Sequence, residues 1–139
     1  MITIIDTDAM LALINPTDAL HKKAKALLGQ LYAQNAHLFI LPTTLSEFSL
    51  LSVSRFGLAK TKDVVRVWTE GVSQELLEID DALTQAAVKL FFYQTSKKES
   101  MFDCFVMAAA QKYRADCIFS FDRGYQKTKN GLKLASDLL

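Results

Sequence analysis

The feature that most limits what this chain can become is an alternation. Short apolar, strand-like runs take turns with longer stretches of helical spacing. Ile2-Thr3-Ile4-Ile5 is β-branched and strand-like, and a helix is expected from Asp8 to Ile14. From Pro16 onward, Leu20, Ala24, Leu27, Leu28 and Leu31 recur at helical spacing, with Lys22, Lys23 and Lys25 on the wet side. Leu38-Phe39-Ile40-Leu41 reads as a second strand closed by Pro42. Helices are expected over 44–56 and 59–72, with Gly57 as the stop signal between them. Leu76-Leu77-Glu78-Ile79 reads as a third, edge-like strand, followed by helices over 81–92 and 102–113. Cys117-Ile118-Phe119-Ser120 is a fourth strand, and Leu132-Lys133-Leu134 a short fifth. Such an order builds right-handed βαβ crossovers. The expected fold is α/β: a three-layer sandwich with a short parallel sheet of four to five strands flanked by helices.

Composition narrows the class. Half of the 139 residues are hydrophobic, and only five Gly and two Pro interrupt them. One domain over 1–139 is expected, with a real core. No apolar run approaches the roughly 20 residues of a membrane helix, and Asp6 ends the first apolar run too early for a signal peptide. Cys104 and Cys117 lie in apolar settings that suit reduced core thiols. A cytoplasmic protein with no membrane partner is expected. The two histidines, His21 and His37, share no context, which argues against a His-based zinc site or a Ser-His-Asp triad. The net charge of +1 favours no class of partner.

The acids are more telling. In an open parallel sheet the functional crevice lies beyond the C-terminal ends of the strands. Asp6 ends strand one and Asp122 follows strand four. Glu47 lies early in the helix after strand two, and Asp103 begins the helix that leads into strand four. Each also has a structural reading. Thr44-Leu45-Ser46-Glu47 has the form of a capping box, and Ser100-Met101-Phe102-Asp103 repeats it with a shorter acid. Asp6 could cap the following helix, and Asp122 could open an Asp-Arg-Gly-Tyr turn. Their convergence carries more weight than any one of them. Carboxylates gathered at one edge repel one another, and a hard divalent cation offsets that repulsion. All-oxygen ligation selects Mg²⁺ or Mn²⁺, and the chemistry that follows is hydrolysis of a phosphate ester.

These residues resemble a known family, the PIN-domain ribonucleases, and especially the VapC-like toxins of toxin–antitoxin pairs. The likeness spans the chain: "IIDTDAMLALIN", "PTTLSEF", "MFDCFVMAAAQKYRADCIFSFD" and, within it, Ser120-Phe121-Asp122. It implies a PIN-like sandwich and a Mg²⁺- or Mn²⁺-dependent endoribonuclease, commonly a homodimer, held in check by a small antitoxin protein. It assigns Asp6, Glu47, Asp103 and Asp122 as catalytic, metal-binding acids and Ser120 as a helper, with RNA cut to 3′-hydroxyl and 5′-phosphate ends. Two positions depart from the family pattern. Asp8 stands where Ser or Asn is frequent, and Gly124 where many members have a further Asp. Asp8 is given a supporting or helix-capping role.

Arg123, Lys127 and Lys129 follow Asp122, and Lys97 and Lys98 precede Asp103. As a group they are expected to guide a phosphate backbone. Trp68, Phe91, Phe92 and Tyr93 suit core or interface better than base stacking. Helices over 49–68 are candidates for a dimer or antitoxin groove. The rival enzyme reading is a haloacid-dehalogenase-like phosphatase using Asp6 and Asp8, with Asp80-Asp81 as its later acidic motif. It leaves Glu47, Asp103 and Asp122 unexplained. A catalytically silent PIN-like partner-binding module is the non-enzymatic alternative.

Overall fold

A computed structural model describes residues 1–72, 74–127 and 131–139. The elements run β1 (Ile2–Ile5), α1 (Thr7–Ile14), α2 (His21–Ala33), β2 (His37–Ile40), α3 (Pro42–Phe56), α4 (Leu58–Glu70) and β3 (Gln74–Leu76). After them come α5 (Asp81–Tyr93), α6 (Met101–Lys112), β4 (Cys117–Phe119), a 3₁₀ turn (Arg123–Lys127) and α7 (Ala135–Leu138). The four strands form one parallel sheet in the order β3-β2-β1-β4. The expected three-layer sandwich is present.

Period-2 alternation separates the two faces of the sheet. Ile5, Leu38, Ile40, Cys117 and Phe119 belong to a core shared with α1, α2, Phe48 of α3 and Trp68 of α4. Ile4 and Ile118 belong to the opposite core, with Leu83 and Ala87 of α5 and Cys104, Val106 and Met107 of α6. Both faces being covered explains why β1, β2 and β4 read as largely apolar runs, whereas the edge strand β3 (Gln-Glu-Leu) does not. Both cysteines are buried free thiols.

Local chemistry moved several boundaries. The second helix starts at His21, five residues later than Pro16, because the connecting residues form side-chain-stabilised turns. Asn15 Oδ1 accepts from the Thr17 amide and hydroxyl, and Asp18 Oδ1 from the Leu20 amide. The third strand sits at Gln74–Leu76, with Leu77 adding one bond to the Ile40 carbonyl before the chain leaves to be capped by Asp80. The expected fifth strand is a single bridge between Ile118 and Leu134. Asp137 takes the Leu134 amide and turns the segment into α7. Gly57 separates α3 from α4 at φ +87°, a conformation that disfavours residues with a Cβ.

β1 holds the switch point of this sheet. The chain moves outward on one side through β2 and β3, then returns to pair β4 with the other edge of β1. A crevice opens at such a point, beyond the carboxyl ends of the strands. The Asp6 amide donates to the Phe119 carbonyl at 3.1 Å, tying the two strand ends together there.

Candidate active site

A cleft of about 330 Å³ opens at this edge, lined by Asp6, Asp8, Asp18, Glu47, Asp103 and Asp122 together with Thr7, Leu11, Leu20, Leu51 and Arg55. The acids come from just after β1, from α1, the α1–α2 connection, α3 and α6, and from just after β4, so the fold brings together side chains distributed over most of the sequence. Each is held by a nearby donor.

Asp6 is the most enclosed acid. It caps α1, with its Oδ1 accepting the Thr7 amide at 2.7 Å, and its Oδ2 accepts the Tyr125 hydroxyl at 2.7 Å. The same hydroxyl lies 3.2 Å from Asp103 Oδ1 and so bridges two of the acids. Burial pushes the Asp6 carboxyl up to about 7, and the charge of Asp8 adds to the rise. The bonds from Tyr125 and Thr7 oppose it, and the Asp103 charge adds a smaller push. Burial likewise holds the Tyr125 hydroxyl well above its usual range, helped by the Asp6 and Asp103 charges.

Asp103 forms the expected capping box with Ser100. Its Oδ2 accepts the Ser100 amide and hydroxyl, while the Asp103 amide donates back to Ser100 Oγ. This structural role leaves Oδ1 turned to Tyr125, so capping and cleft lining coexist in one carboxylate. Asp122 does the same. Its Oδ1 accepts the Gly124 amide at 2.7 Å in the expected turn, yet the residue lines the cleft.

Glu47 corrects one expectation. It forms no capping box with Thr44, because Pro42 occupies the first helical position and starts α3 two residues earlier. Glu47 therefore falls in the second turn. There its Oε2 accepts the Thr7 hydroxyl at 2.7 Å, across the cleft floor. Burial raises its pKa, with the Asp103 and Asp8 charges adding to the effect.

Asp8 serves the loop after β4. Its Oδ2 accepts from Ser120 Oγ at 3.0 Å and from the Phe121 amide at 2.8 Å. Ser120 Oγ in turn accepts the Asp122 amide at 3.0 Å. Through Ser120, Asp8 sets the position of Asp122. Asp80, the acid on which the phosphatase reading leans, caps α5 and pairs with Lys112 at 2.8 Å. It is absent from the cleft lining.

Sequence proximity was a poor guide to the cations. Arg123, Lys127, Lys97 and Lys98 do not line the cleft, and Lys129 lies outside the described residues. Arg55 lines it instead, from the last turn of α3. Lys23 reaches Phe121, its ammonium 5.9 Å from the ring centre. Thr7 and Tyr125 were missed too. A hydroxyl next to Asp6 and an aromatic three residues after Asp122 were their only signals.

Among the described residues, no three His, Cys, Asp or Glu side chains stand close enough to cage an ion as they lie. The donor set nonetheless fits an oxygen-seeking divalent cation. Its acids are all carboxylates, and among the described residues none of them is paired with a side-chain cation. Mg²⁺ keeps several of its waters and needs only one or two direct carboxylates. Asp6, Asp103 and Asp122 are the residues that would hold it.

Solved structures with the same fold are distant in sequence. VapC20 of Mycobacterium tuberculosis, a toxin that cleaves the sarcin-ricin loop, aligns with a TM-score of 0.78 at 19% identity, covering 89% of this chain and 92% of its own. VapBC2 of Rickettsia felis, bound to a promoter DNA fragment, aligns at 0.69 and 14%, covering 96% and 97%. FitAcB of Neisseria gonorrhoeae aligns at 0.67 and 17%, covering 96% of each chain. No curated protein sequence matches the chain. The PIN domain model, in contrast, matches residues 3–131. With its acids gathered at the switch point of a β3-β2-β1-β4 sheet, the chain belongs to the PIN domain family.

Proposed function

We propose that the protein is a metal-dependent endoribonuclease and the toxin of a toxin–antitoxin pair. The observation that carries this reading is the convergence of Asp6, Glu47, Asp103 and Asp122 on one cleft, from four separate elements. Mg²⁺ or Mn²⁺, when bound, stabilises charge on the phosphoryl oxygens and makes water a better nucleophile. The chain's own residues do the rest. Asp6 and Asp122, from adjacent strand ends, would hold the ion together with Asp103. Glu47, its Oε2 fixed by Thr7, keeps its second oxygen to orient an attacking water and take its proton. Asp8 and Ser120 keep Asp122 in place.

The likeness to VapC20, a sarcin-ricin loop cleaving toxin, favours structured RNA as the first substrate to try. VapBC2 and FitAcB, among the similar structures, support an antitoxin partner. Exposed apolar side chains on α3 and α4 (Leu50, Val53, Leu58 and Val67) offer a surface for that partner or for a homodimer. Arg123 and Lys127 lie outside the cleft lining, in the 3₁₀ turn that follows Asp122, and would meet the strand only beyond the cleft. The phosphatase reading has Asp6 and Asp8 in the cleft but lacks its later motif there, since Asp80 lies outside the lining and pairs with Lys112.

The test incubates the protein with structured RNA and with a phosphomonoester, with and without Mg²⁺ or Mn²⁺, beside Asp6→Asn and Asp103→Asn. Metal-dependent RNA cleavage, reduced about 100-fold or more in both variants, is expected. RNA cleavage that survives both substitutions overturns the four-acid site. Phosphomonoester turnover that depends on Asp6 and Asp8 but not on Asp103 would move the protein to the phosphatases.

A further inference from the structure

One cation lines a cleft that is otherwise rich in acid. Arg55 faces a lining that holds six carboxylates: Asp6, Asp8, Asp18, Glu47, Asp103 and Asp122. It pairs with none of them. Among the described residues the ion pairs are Arg66–Asp63 and Lys112–Asp80, both on the outer surface. A guanidinium that serves only to neutralise the cleft would be expected to dock on one of these acids, bidentate where it can. Arg55 stays exposed and uncommitted.

Its place on α3 indicates what it waits for. Glu47, Leu51 and Arg55 are four residues apart and form one stripe along the cleft wall. Eight residues at 1.5 Å each set Arg55 about 12 Å along the helix axis from Glu47. A cation set two turns along the helix suits a phosphate flanking the one at which Glu47 acts better than that phosphate itself. A polyanion entering a cleft of carboxylates is repelled wherever no cation stands. A divalent ion answers this at the reacting phosphate only, so the flanking backbone needs a fixed cation of its own. Guanidinium suits the task, being always charged and shaped for two phosphate oxygens.

We propose that Arg55 is a positioning residue that binds a phosphate beside the scissile one, so that the RNA strand lies along α3 as it crosses the cleft. The inference rests on the ribonuclease reading above and adds the path of the substrate.

The test compares the unaltered protein with Arg55→Gln, Arg55→Lys and, as a control, Arg66→Gln. It follows cleavage of a short labelled RNA in Mg²⁺ or Mn²⁺, and binding of the same RNA in Ca²⁺ over a range of salt. Arg55→Gln is expected to raise KM about tenfold with kcat nearly unchanged. It should also reduce the slope of log Kd against log salt by about 0.7, the loss of one single-strand phosphate contact. Arg55→Lys should keep the slope, and Arg66→Gln should change nothing. An unchanged slope in Arg55→Gln, or a fall in kcat at constant KM, overturns the proposal while leaving the ribonuclease standing. If the unaltered protein neither binds nor cuts RNA, the ribonuclease reading and this inference fall together. Altered thermal stability with unaltered RNA binding would reduce Arg55 to a structural charge.

Discussion

Thr7 donates its hydroxyl proton to Glu47 over 2.7 Å, although forty residues separate them in the chain. The bond joins the first turn of α1 to the second turn of α3 and fixes one oxygen of the only glutamate in the cleft. A hydrogen bond to a charged group contributes about 1.5–3 kcal/mol. Thr7→Val should therefore lower kcat for RNA cleavage about tenfold, with KM little changed, whereas Thr7→Ser retains most of the rate. Steady-state kinetics on one RNA decide it. Full activity in Thr7→Val would show that Glu47 needs no such anchor.

Asp6 makes the metal-free protein sensitive to pH. Its carboxyl is pushed up to about 7 from an ordinary value of 3.8, so the folded chain holds this proton more tightly than the unfolded chain does. The stabilisation is complete below the unfolded value and is lost as pH rises through about 7. At about 1.4 kcal/mol per unit over the rise from 3.8 to about 7, the loss is of the order of 4 kcal/mol. With a chelator present, the urea midpoint should fall from about pH 5 to about pH 8. Asp6→Asn should flatten much of that fall, and Mg²⁺ or Mn²⁺ should restore the midpoint at the upper end in the unaltered protein only. A level profile for the unaltered protein would contradict the desolvation of Asp6.

Tyr125 bridges Asp6 and Asp103 from a buried position. Tyr125→Phe keeps the ring and removes the donor. In chelator at neutral pH it should cost about 1–3 kcal/mol, the penalty for buried acceptors left unpaired. A divalent cation should shrink the deficit by taking over the same carboxylates. Denaturant melts with and without metal measure both, and equal deficits in the two conditions would argue that the hydroxyl acts elsewhere.

Gly57 tests the scaffold alone. A Cβ there meets nothing within 4 Å, so the cost of Gly57→Ala is purely that of φ +87°. About 1–3 kcal/mol of stability should be lost, with cleavage unaffected at temperatures where the protein stays folded.

Asp80→Asn and Lys112→Met separate the two enzyme readings once more. Each breaks the Asp80–Lys112 pair on an exposed surface, so each should lower the urea midpoint slightly and leave RNA cleavage untouched. A marked loss of turnover in either would return the Asp80-Asp81 motif to consideration.

Much of the architecture could be read from the residues alone, for a physical reason. Strands buried on both faces must be apolar throughout, and helices packed on one side must show a stripe, so the alternation of Ile2–Ile5, His37–Ile40 and Cys117–Phe119 with helical segments is hard to disguise. The acids were legible because Asp6 ends a buried strand and Asp122 follows one closely. Their partners were not. Tyr125 meets Asp6 across 119 residues and Ser120 meets Asp8 across 112, contacts that no local pattern announces. Glu47 misled because its capping box is sound by spacing, and only Pro42 at the helix start reveals the true frame. The cations misled in the opposite way. Neighbours in sequence were preferred, whereas Arg55 reaches the cleft by lying two turns along the same helix as Glu47.

The strand order has a consequence for when the site exists at all. β4 comes latest in sequence among the described strands, yet it pairs with β1, and Asp8 cannot find Ser120 or Phe121 until that closure happens. A chain emerging from the ribosome carries Asp6, Asp8 and Glu47 long before Asp122, and it has no cleft to arm with them. The catalytic power proposed here thus waits on that single closure, and a piece of the chain that stops short of β4 would hold those three acids without the site.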